Sequence, residues 1–260
     1  MHFLLKRGYS PPCAGRPSGR PFDLILSLPH IFDEFLHIFF PSSCPACGRL
    51  AVPFCEECLD GAASSPLPPF CAECGGPYGK PCCADSVPCF AAAVHDGAAR
   101  DFILALKYRN VRALGFAMGE RIAAAFARPE ADCVVPLPLH VGSRRAYNQT
   151  ELIARGLASR WVLPVEACAV SWAVRREPQT RRSSAERAGI SPDAFAVSDS
   201  MRGRRVVLVD DVYTTGATVR AALAALRRAG ARPSAVALWT RRLVGGEAPS
   251  SWPEDAESLL

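Results

Sequence analysis

The chain has 260 residues, a length that suits one or two domains. With 49% hydrophobic and 21% charged residues it can bury a sizeable core, which excludes global disorder, and it has no uninterrupted apolar run of about 18 residues, so no membrane span is expected. A formal net charge of +5 is compatible with an anionic ligand but too weak to name one; only Lys6, Lys80 and Lys107 are lysines, and the arginines that make up the rest suit bidentate phosphate contacts.

In chain order, residues 1–22 are rich in Pro, Gly and Arg and read as a disordered extension. They contain Lys6, Arg7, Arg16 and Arg20 and no adequate apolar segment for an export signal, so a cytoplasmic location is expected. Across residues 23–40, Ile31, Phe32, Phe35, Leu36, Phe39 and Phe40 recur at helical spacing. This predicts an amphipathic helix packed on the following domain rather than on a membrane, since its polar face has no cations.

Residues 41–90 form a cysteine block. Of the 12 cysteines, nine fall between Cys44 and Cys89, in three C-x-x-C pairs and a less regular remainder. A C-x-x-C turn places two thiolates on one knuckle, and two knuckles supply the four soft ligands of a tetrahedral zinc ion. Cys44, Cys47, Cys55 and Cys58 make the first such set. The second takes Cys71 and Cys74 with Cys82 and Cys89, the irregular last knuckle leaving its final ligand open among Cys82, Cys83, Asp85 and Cys89. Both sites would be closed and structural, because four thiolates leave no position for a substrate. The isolated Cys13, Cys133 and Cys168 read as small buried apolar residues.

From residue 91 to 243 helices alternate with strands. Helices are predicted over Ala98–Lys107, Val111–Phe126, Gln149–Arg160 and Val219–Ala229, the last stopped by Gly230. Strands are predicted at Cys133–Val135, at Val206–Val209, whose continuous apolar, β-branched-rich run suits burial on both faces, and at Ala235–Trp239. A strand, helix and strand of these lengths make a right-handed parallel crossover. The class is therefore α/β, a parallel sheet with helices on both faces, preceded by the small cysteine-rich zinc ribbon domain. Residues 244–260 read as a flexible tail.

The chemistry concentrates in Val206–Thr218. An apolar strand ends at Asp210 and Asp211, and a loop of Val212, Tyr213, Thr214, Thr215, Gly216, Ala217 and Thr218 leads into a helix. Ligands bind beyond the carboxyl ends of strands in open α/β sheets, helix N-termini attract phosphate, and threonine hydroxyls and a glycine let donors approach an anion closely. Acids beside such a cradle can accept hydrogen bonds from vicinal sugar hydroxyls. The combination describes a ribose 5-phosphate site. It is neither a P-loop nor a G-x-G-x-x-G dinucleotide turn, and capping alone would not need two acids, three threonines and a glycine.

This segment resembles the phosphoribosyl pyrophosphate motif of type I phosphoribosyltransferases, and the chain as a whole resembles the ComF (ComFC/GntX-like) family, a double zinc ribbon followed by a phosphoribosyltransferase domain, from about Pro41 to Arg242. Lys107-Tyr108, the Val135–Pro138 loop with Pro136, Arg144–Gln149, Gln179-Thr180 and Ser184–Arg187 are similar to further segments of that family. Ala146 replaces its usual Gly and Ile190 its usual Asn. The resemblance implies a phosphoribosyltransferase that uses Mg²⁺ with phosphoribosyl pyrophosphate, with Asp210 and Asp211 on the ribose hydroxyls. Lys107, Arg144 and Arg145 would serve the pyrophosphate side, with Pro136, Asn148 and Gln149 nearby. Asn148 and Gln149 also read as caps of their helix, and Lys107, Arg144 and Arg145 as a solvated basic face. The family's association with competence implies an alternative, a protein that handles single-stranded DNA alongside DNA-uptake proteins; nine Arg against four Glu between Val141 and Ile190 suit a nucleic-acid backbone equally well. A third reading is a regulatory domain that binds the ligand without turnover.

Overall fold

The computed structural model of the protein describes residues 42–51, 53–79, 82–140, 143, 145–173 and 190–243. The extension at 1–22, the helix at 23–40, the tail at 244–260, Arg144 and the segments around Gln179 and Ser184–Arg187 lie outside the described residues.

Strands β1 (Ser42–Ser43) and β2 (Leu50–Ala51) pair antiparallel across the first cysteine turn, and the short helix α1 (Glu56–Ala62) follows. The main sheet has five strands in the order β3-β4-β9-β8-β5. These are β3 (Phe70–Cys71), β4 (Pro88–Val94), β5 (Cys133–Pro136), β8 (Arg205–Tyr213) and β9 (Arg232–Arg241). All neighbours are parallel except β3, which pairs antiparallel with β4 at the edge. Helices α2 (Gly97–Tyr108), α3 (Ala113–Ala125), α4 (Gln149–Trp161) and α5 (Ala217–Arg228) connect them, and β6 (Val170–Trp172) with β7 (Phe195–Val197) forms a separate antiparallel pair.

The sheet is covered on both faces, as its continuous apolar strands require. Val207 and Val209 of β8, with Ala235, Ala237 and Trp239 of β9, face α2, α3 and α4; Val206, Leu208, Val236 and Leu238 face α5, Met201 and Phe195. The β8–α5–β9 unit is the expected parallel crossover, and Gly230 (φ +80°) ends its helix. The two strands of this unit extend beyond their expected ends, and its helix starts at Ala217 and ends at Arg228, before the expected Ala229.

Two features differ from the expectation. Strand β4 was not foreseen, and it runs across the anticipated border at residue 90, so the cysteine block shares the main sheet. Cys168 is exposed and disulfide-bonded rather than a buried apolar residue, whereas Cys133 is buried in β5 as expected.

Helices α3 and α4 cross in close contact because both are glycine at the crossing. A Cβ on Gly119 would fall on the Ile153 carbonyl, and one on Gly156 on the Phe116 carbonyl. Alanine in a helix gains about 0.5–1 kcal/mol over glycine, but overpacking against backbone that cannot rotate away costs about 1–3 kcal/mol, so the clash wins. Gly156→Ala is expected to lower the denaturation midpoint despite its better helix propensity; a raised midpoint in a urea titration would show that the helices part without cost.

Candidate functional site

The carboxyl edge of the parallel sheet collects the chemistry. Pro136, the last residue of β5, is level with Val209 of β8, so the turn after β5 lies beside Asp210 and Asp211. At this edge Asp211 is buried and accepts from two side chains: Lys107 Nζ lies 2.8 Å from Oδ1, and Gln149 Nε2 lies 2.8 Å from Oδ2. Lys107 comes from the last turn of α2 and Gln149 from the first residue of α4.

Both donors are themselves fixed. Asn148 caps α4 by accepting from the Thr150 N–H at 3.2 Å, while its Nδ2 donates to the Leu137 carbonyl at 2.8 Å, which ties the helix start to the turn after β5. The Tyr147 hydroxyl donates to the Leu106 carbonyl, one residue before Lys107, and the Arg112 guanidinium lies 4.7 Å from the Tyr147 ring centroid. Asn148 is thus a cap, as one of its two readings had it, and Gln149 reaches the acid instead. The Oε1 of Gln149 is buried without a hydrogen-bond partner among the described residues, an acceptor left over at the edge where a ligand's donor would sit.

The two acids are not equivalent. Asp210 keeps one oxygen on the chain itself, Oδ1 accepting the Asp211 N–H at 2.8 Å. Burial, and then repulsion from Asp211, push its carboxyl up to about 8, against the pull of that N–H and of Lys107. In geometry the two acids differ: Asp211 is committed to Lys107 and Gln149, and Asp210 is the acid with acceptor capacity in hand.

Past Tyr213 the chain turns into α5 through an exposed Thr214 and Thr215 and a buried Gly216. Gly216 adopts φ +74°, and a Cβ there would collide with the Tyr213 hydroxyl, so the position needs glycine twice over. The Ala217 N–H donates to Thr215 Oγ1 at 3.4 Å and Arg220 Nη1 to the Thr215 carbonyl at 2.8 Å. Among the described residues no acceptor takes the N–H groups of Thr214, Thr215 or Gly216. Three such amides before a 12-residue helix, with Thr218 half-buried in its first turn, form a cradle for an anion.

Arg145 stands apart: its amide bonds Ser143 Oγ at 3.3 Å and its guanidinium lies 5.6 Å from the Tyr108 ring centroid. His95, which no motif indicated, follows β4 at the same edge. Its Nδ1 lies 2.9 Å from Thr240 Oγ1, and burial, then the charges of Lys107, Arg100 and Arg242, lower its pKa against the opposing pull of Asp211. It was missed because it follows β4, the strand whose sequence lacks a clear strand pattern.

The cysteines gather into two tetrads, Cys44, Cys47, Cys55 and Cys58, and Cys71, Cys74, Cys82 and Cys83, with ligand atoms within 4.8 Å of one another in each. Cys89, expected from spacing as the second set's fourth ligand, is replaced there by Cys83. Cys89 pairs with Val236 inside the sheet and is completely buried, which drives its thiol well above the ordinary range and leaves it a core residue. Within the tetrads, hydrogen bonds from Arg49, first its backbone and then its side chain, bring Cys47 to about 6 despite some desolvation. Burial would raise Cys71, but hydrogen bonds from Ser86 and the amides of Cys74 and Glu73 bring it to about 6. Four mutually close sulfurs, with Cys44 and Cys47 lowered toward the thiolate in the first set and Cys71 in the second, fit a soft tetrahedral ion, and either tetrad could hold zinc.

A model of the phosphoribosyl transferase domain matches residues 147–255. Gln149, both acids and the whole amide cradle lie inside that span, and Lys107 and His95 ahead of it. No curated protein matches the sequence. Among solved structures, the allosteric regulatory enzyme of purine biosynthesis is similar at 27% identity and a TM-score of 0.36, over 49% of this chain and 26% of that one. The glutamine phosphoribosylpyrophosphate amidotransferase of B. subtilis, complexed with ADP and GMP, is similar at 26% identity and 0.36 over the same shares. The chain thus spans about a quarter of those proteins.

Two outcomes test the edge. Removing only one partner of a buried pair costs about 3–5 kcal/mol, whereas replacing both with apolar groups is often neutral. Lys107→Met is therefore expected to destabilise strongly and Lys107→Met/Asp211→Leu to recover most of the loss, as read by urea denaturation; a double variant no better than the single one would refute the pairing. For Asp210, a folded-state pKa above the unfolded value means that the folded chain holds the proton more tightly, so stability falls as pH rises from about 4 to about 8. Asp210→Asn removes that slope. Its melting temperature should match the parent's near pH 4 and exceed it increasingly up to pH 8 to 9; parallel curves would show that Asp210 titrates normally.

Proposed function

We propose that the protein binds phosphoribosyl pyrophosphate and transfers its phosphoribosyl group to a nitrogen nucleophile, in the manner of a ComF-like phosphoribosyltransferase of the cytoplasm. The observation that carries this reading is the run of amides at Thr214, Thr215 and Gly216 that have no acceptor among the described residues, separated from Asp210 and Asp211 only by Val212 and Tyr213 at the end of the same strand.

In this reading the three amides and the hydroxyls of Thr215 and Thr218 hold the 5-phosphate at the start of α5. Asp210 accepts from the ribose hydroxyls, and the leftover Oε1 of Gln149 takes a further donor from the ligand. Asp211 keeps Lys107 aimed at the carboxyl edge, where its charge faces the pyrophosphate. A Mg²⁺ carried on the pyrophosphate would neutralise charge on the leaving group, and the Asp210 oxygen left free by the Asp211 N–H would be the atom of this chain available to hold it. The N–C1 bond forms as the C1–O bond to pyrophosphate breaks with its electron pair on the departing oxygen, and the nucleophile then loses its proton. No side-chain nucleophile is needed; the chain contributes position and preset charge.

A second reading draws on Tyr108, which is 71% exposed beside Arg109 with the Arg145 guanidinium over its ring. An exposed ring among cations suits stacking of single-stranded DNA, the role implied by the competence association.

Calorimetric titration with phosphoribosyl pyrophosphate and Mg²⁺ is expected to show saturable binding that Gly216→Val weakens at least about tenfold, or about 1.4 kcal/mol, and pyrophosphate release with one or more of a panel of bases. Binding without release would leave a ligand-sensing domain. Absence of binding, together with steeply salt-dependent single-strand binding that survives Gly216→Val, would replace this reading with the DNA-handling one.

A further inference from the structure

The turn that carries Cys71 and Cys74 has a second set of contacts, made by its backbone and directed at the amide cradle. The Tyr213 hydroxyl donates to the Ala72 carbonyl at 3.3 Å. Arg220 Nη1 donates to the Glu73 carbonyl at 3.3 Å, and the same nitrogen donates to the Thr215 carbonyl at 2.8 Å. Arg241 Nη2 donates to the Gly75 carbonyl at 2.8 Å, with its guanidinium 4.1 Å from the Phe70 ring centroid, and that ring meets Tyr213 edge-on at 5.1 Å. On the outer side the Glu73 carboxylate accepts from Arg227 of α5 at 2.7 Å, and the other Arg227 nitrogen reaches the Asp85 carbonyl, also at 2.7 Å. Ala72 and Glu73 lie between two sulfurs of the second tetrad, and Gly75 immediately follows the second of them. The orientation of their carbonyls is therefore set by the same turn that sets the sulfur positions.

Tyr213 and Arg220 bracket the cradle from both ends. Tyr213 precedes Thr214, and its hydroxyl occupies the space beside Gly216. Arg220 lies in the first turn of α5, and its backbone N–H donates to the Gly216 carbonyl at 2.9 Å. Each therefore holds the loop with one set of atoms and the cysteine turn with another.

The first tetrad has no such bridge. Its helix α1 is tied to α3, where Arg121 meets Asp60 at 2.9 Å and also Glu56, and Phe54 packs edge-on against Phe102 at 6.4 Å. Among the described residues, no hydrogen bond joins that tetrad to residues 213–218.

We propose that metal in the second tetrad positions the anion-binding loop, with Tyr213 and Arg220 as the positioning residues, so that metal retention and ligand binding at the loop are thermodynamically coupled. The second tetrad then has a role beyond holding its own turn together. Loss of its metal frees the carbonyls of Ala72 and Glu73 to reorient, loosens both ends of the cradle and weakens the site while the first tetrad stays intact. Coupling of this kind is reciprocal: an anion held by the loop must slow metal loss from the second tetrad by the factor by which metal strengthens anion binding.

Amide hydrogen exchange on the full zinc-loaded chain tests the coupling without any ligand. Cys83→Ser, which should retain one zinc equivalent, and Arg220→Gln, which should retain two, are each expected to speed exchange at the backbone amides of residues 220 and 242, which bond the Gly216 and Tyr213 carbonyls, at least tenfold, on the order of 1.4 kcal/mol of opening free energy, while residues 113–125 keep their protection. The Arg220 variant covers the case in which the cysteine variant unfolds. Unchanged exchange at both amides in Arg220→Gln, or in a folded Cys83→Ser, overturns the proposal. A second arm rests on the ligand proposed above: phosphoribosyl pyrophosphate with Mg²⁺ should slow one of two zinc-release phases in a chelator chase of the parent protein and neither phase in Arg220→Gln. Slowing of both phases alike would refute the coupling. Failure of the compound to bind by calorimetry would instead sink the ligand assignment, and the exchange result would still decide the coupling.

Discussion

Asp211 has 8% of its side chain exposed, and its partner Lys107 17%. Charges withdrawn from water to this degree are tolerated only when paired and hydrogen-bonded, since desolvation of each costs several kcal/mol. Lys107 supplies the opposite charge on one oxygen and Gln149 a hydrogen bond on the other. Because the three residues belong to β8, α2 and α4, satisfying one carboxylate fixes how two helices end and begin against the central strand. The devices around it serve the same contact. The Tyr147 hydroxyl on Leu106, the Asn148 side chain on Leu137, and the glycine crossing of α3 and α4 all set the position from which Gln149 reaches.

With Asp211 bonded to Lys107 and Gln149, its neighbour bears the consequence. Two carboxylates on adjacent residues cannot both ionise freely at a buried strand end, and the one without a cation in contact takes the shift. Asp210 is that residue, raised to about 8. The pair is thus a divided one: one acid orders the scaffold, and the other keeps acceptor capacity beside the amide cradle. Adjacent acids in sequence look interchangeable, and only their partners distinguish them.

What could be read from the sequence follows from which physical signals are local. The β8–α5–β9 unit was legible because Val206–Val209 is a continuous apolar run rich in β-branched residues, α5 has a periodic apolar face, and Gly230 marks its end. The amide cradle was legible because a strand, two acids, threonines and a glycine are contiguous. Strand β4 was not, since Pro-Cys-Phe-Ala-Ala-Ala-Val has little strand propensity and is extended because β3 and β9 pair with it on either side. Missing β4 also hid His95 and misassigned Cys89: spacing permits Cys89 as a ligand, and only its place within the sheet removes it in favour of Cys83. Gln149 read as a capping residue because the partner that claims its side chain lies 62 positions away, beyond any local pattern.

The segment that matches the phosphoribosyl transferase domain begins at Tyr147, yet its site is incomplete without what precedes it. Asp211 and Gln149 lie within the match, but their cation, Lys107, does not. The loop from Tyr213 to Thr218 lies within it, but the carbonyls of Ala72, Glu73 and Gly75, which hold the side chains of Tyr213, Arg220 and Arg241, belong to the cysteine block. Even the sheet edge beyond β9 is closed by β3 and β4 from that block. A cysteine turn joined to the sheet only by a linker could be reshaped without touching the cradle. Here the second cysteine turn and the cradle share hydrogen bonds, so a change that reorients one acts on the other.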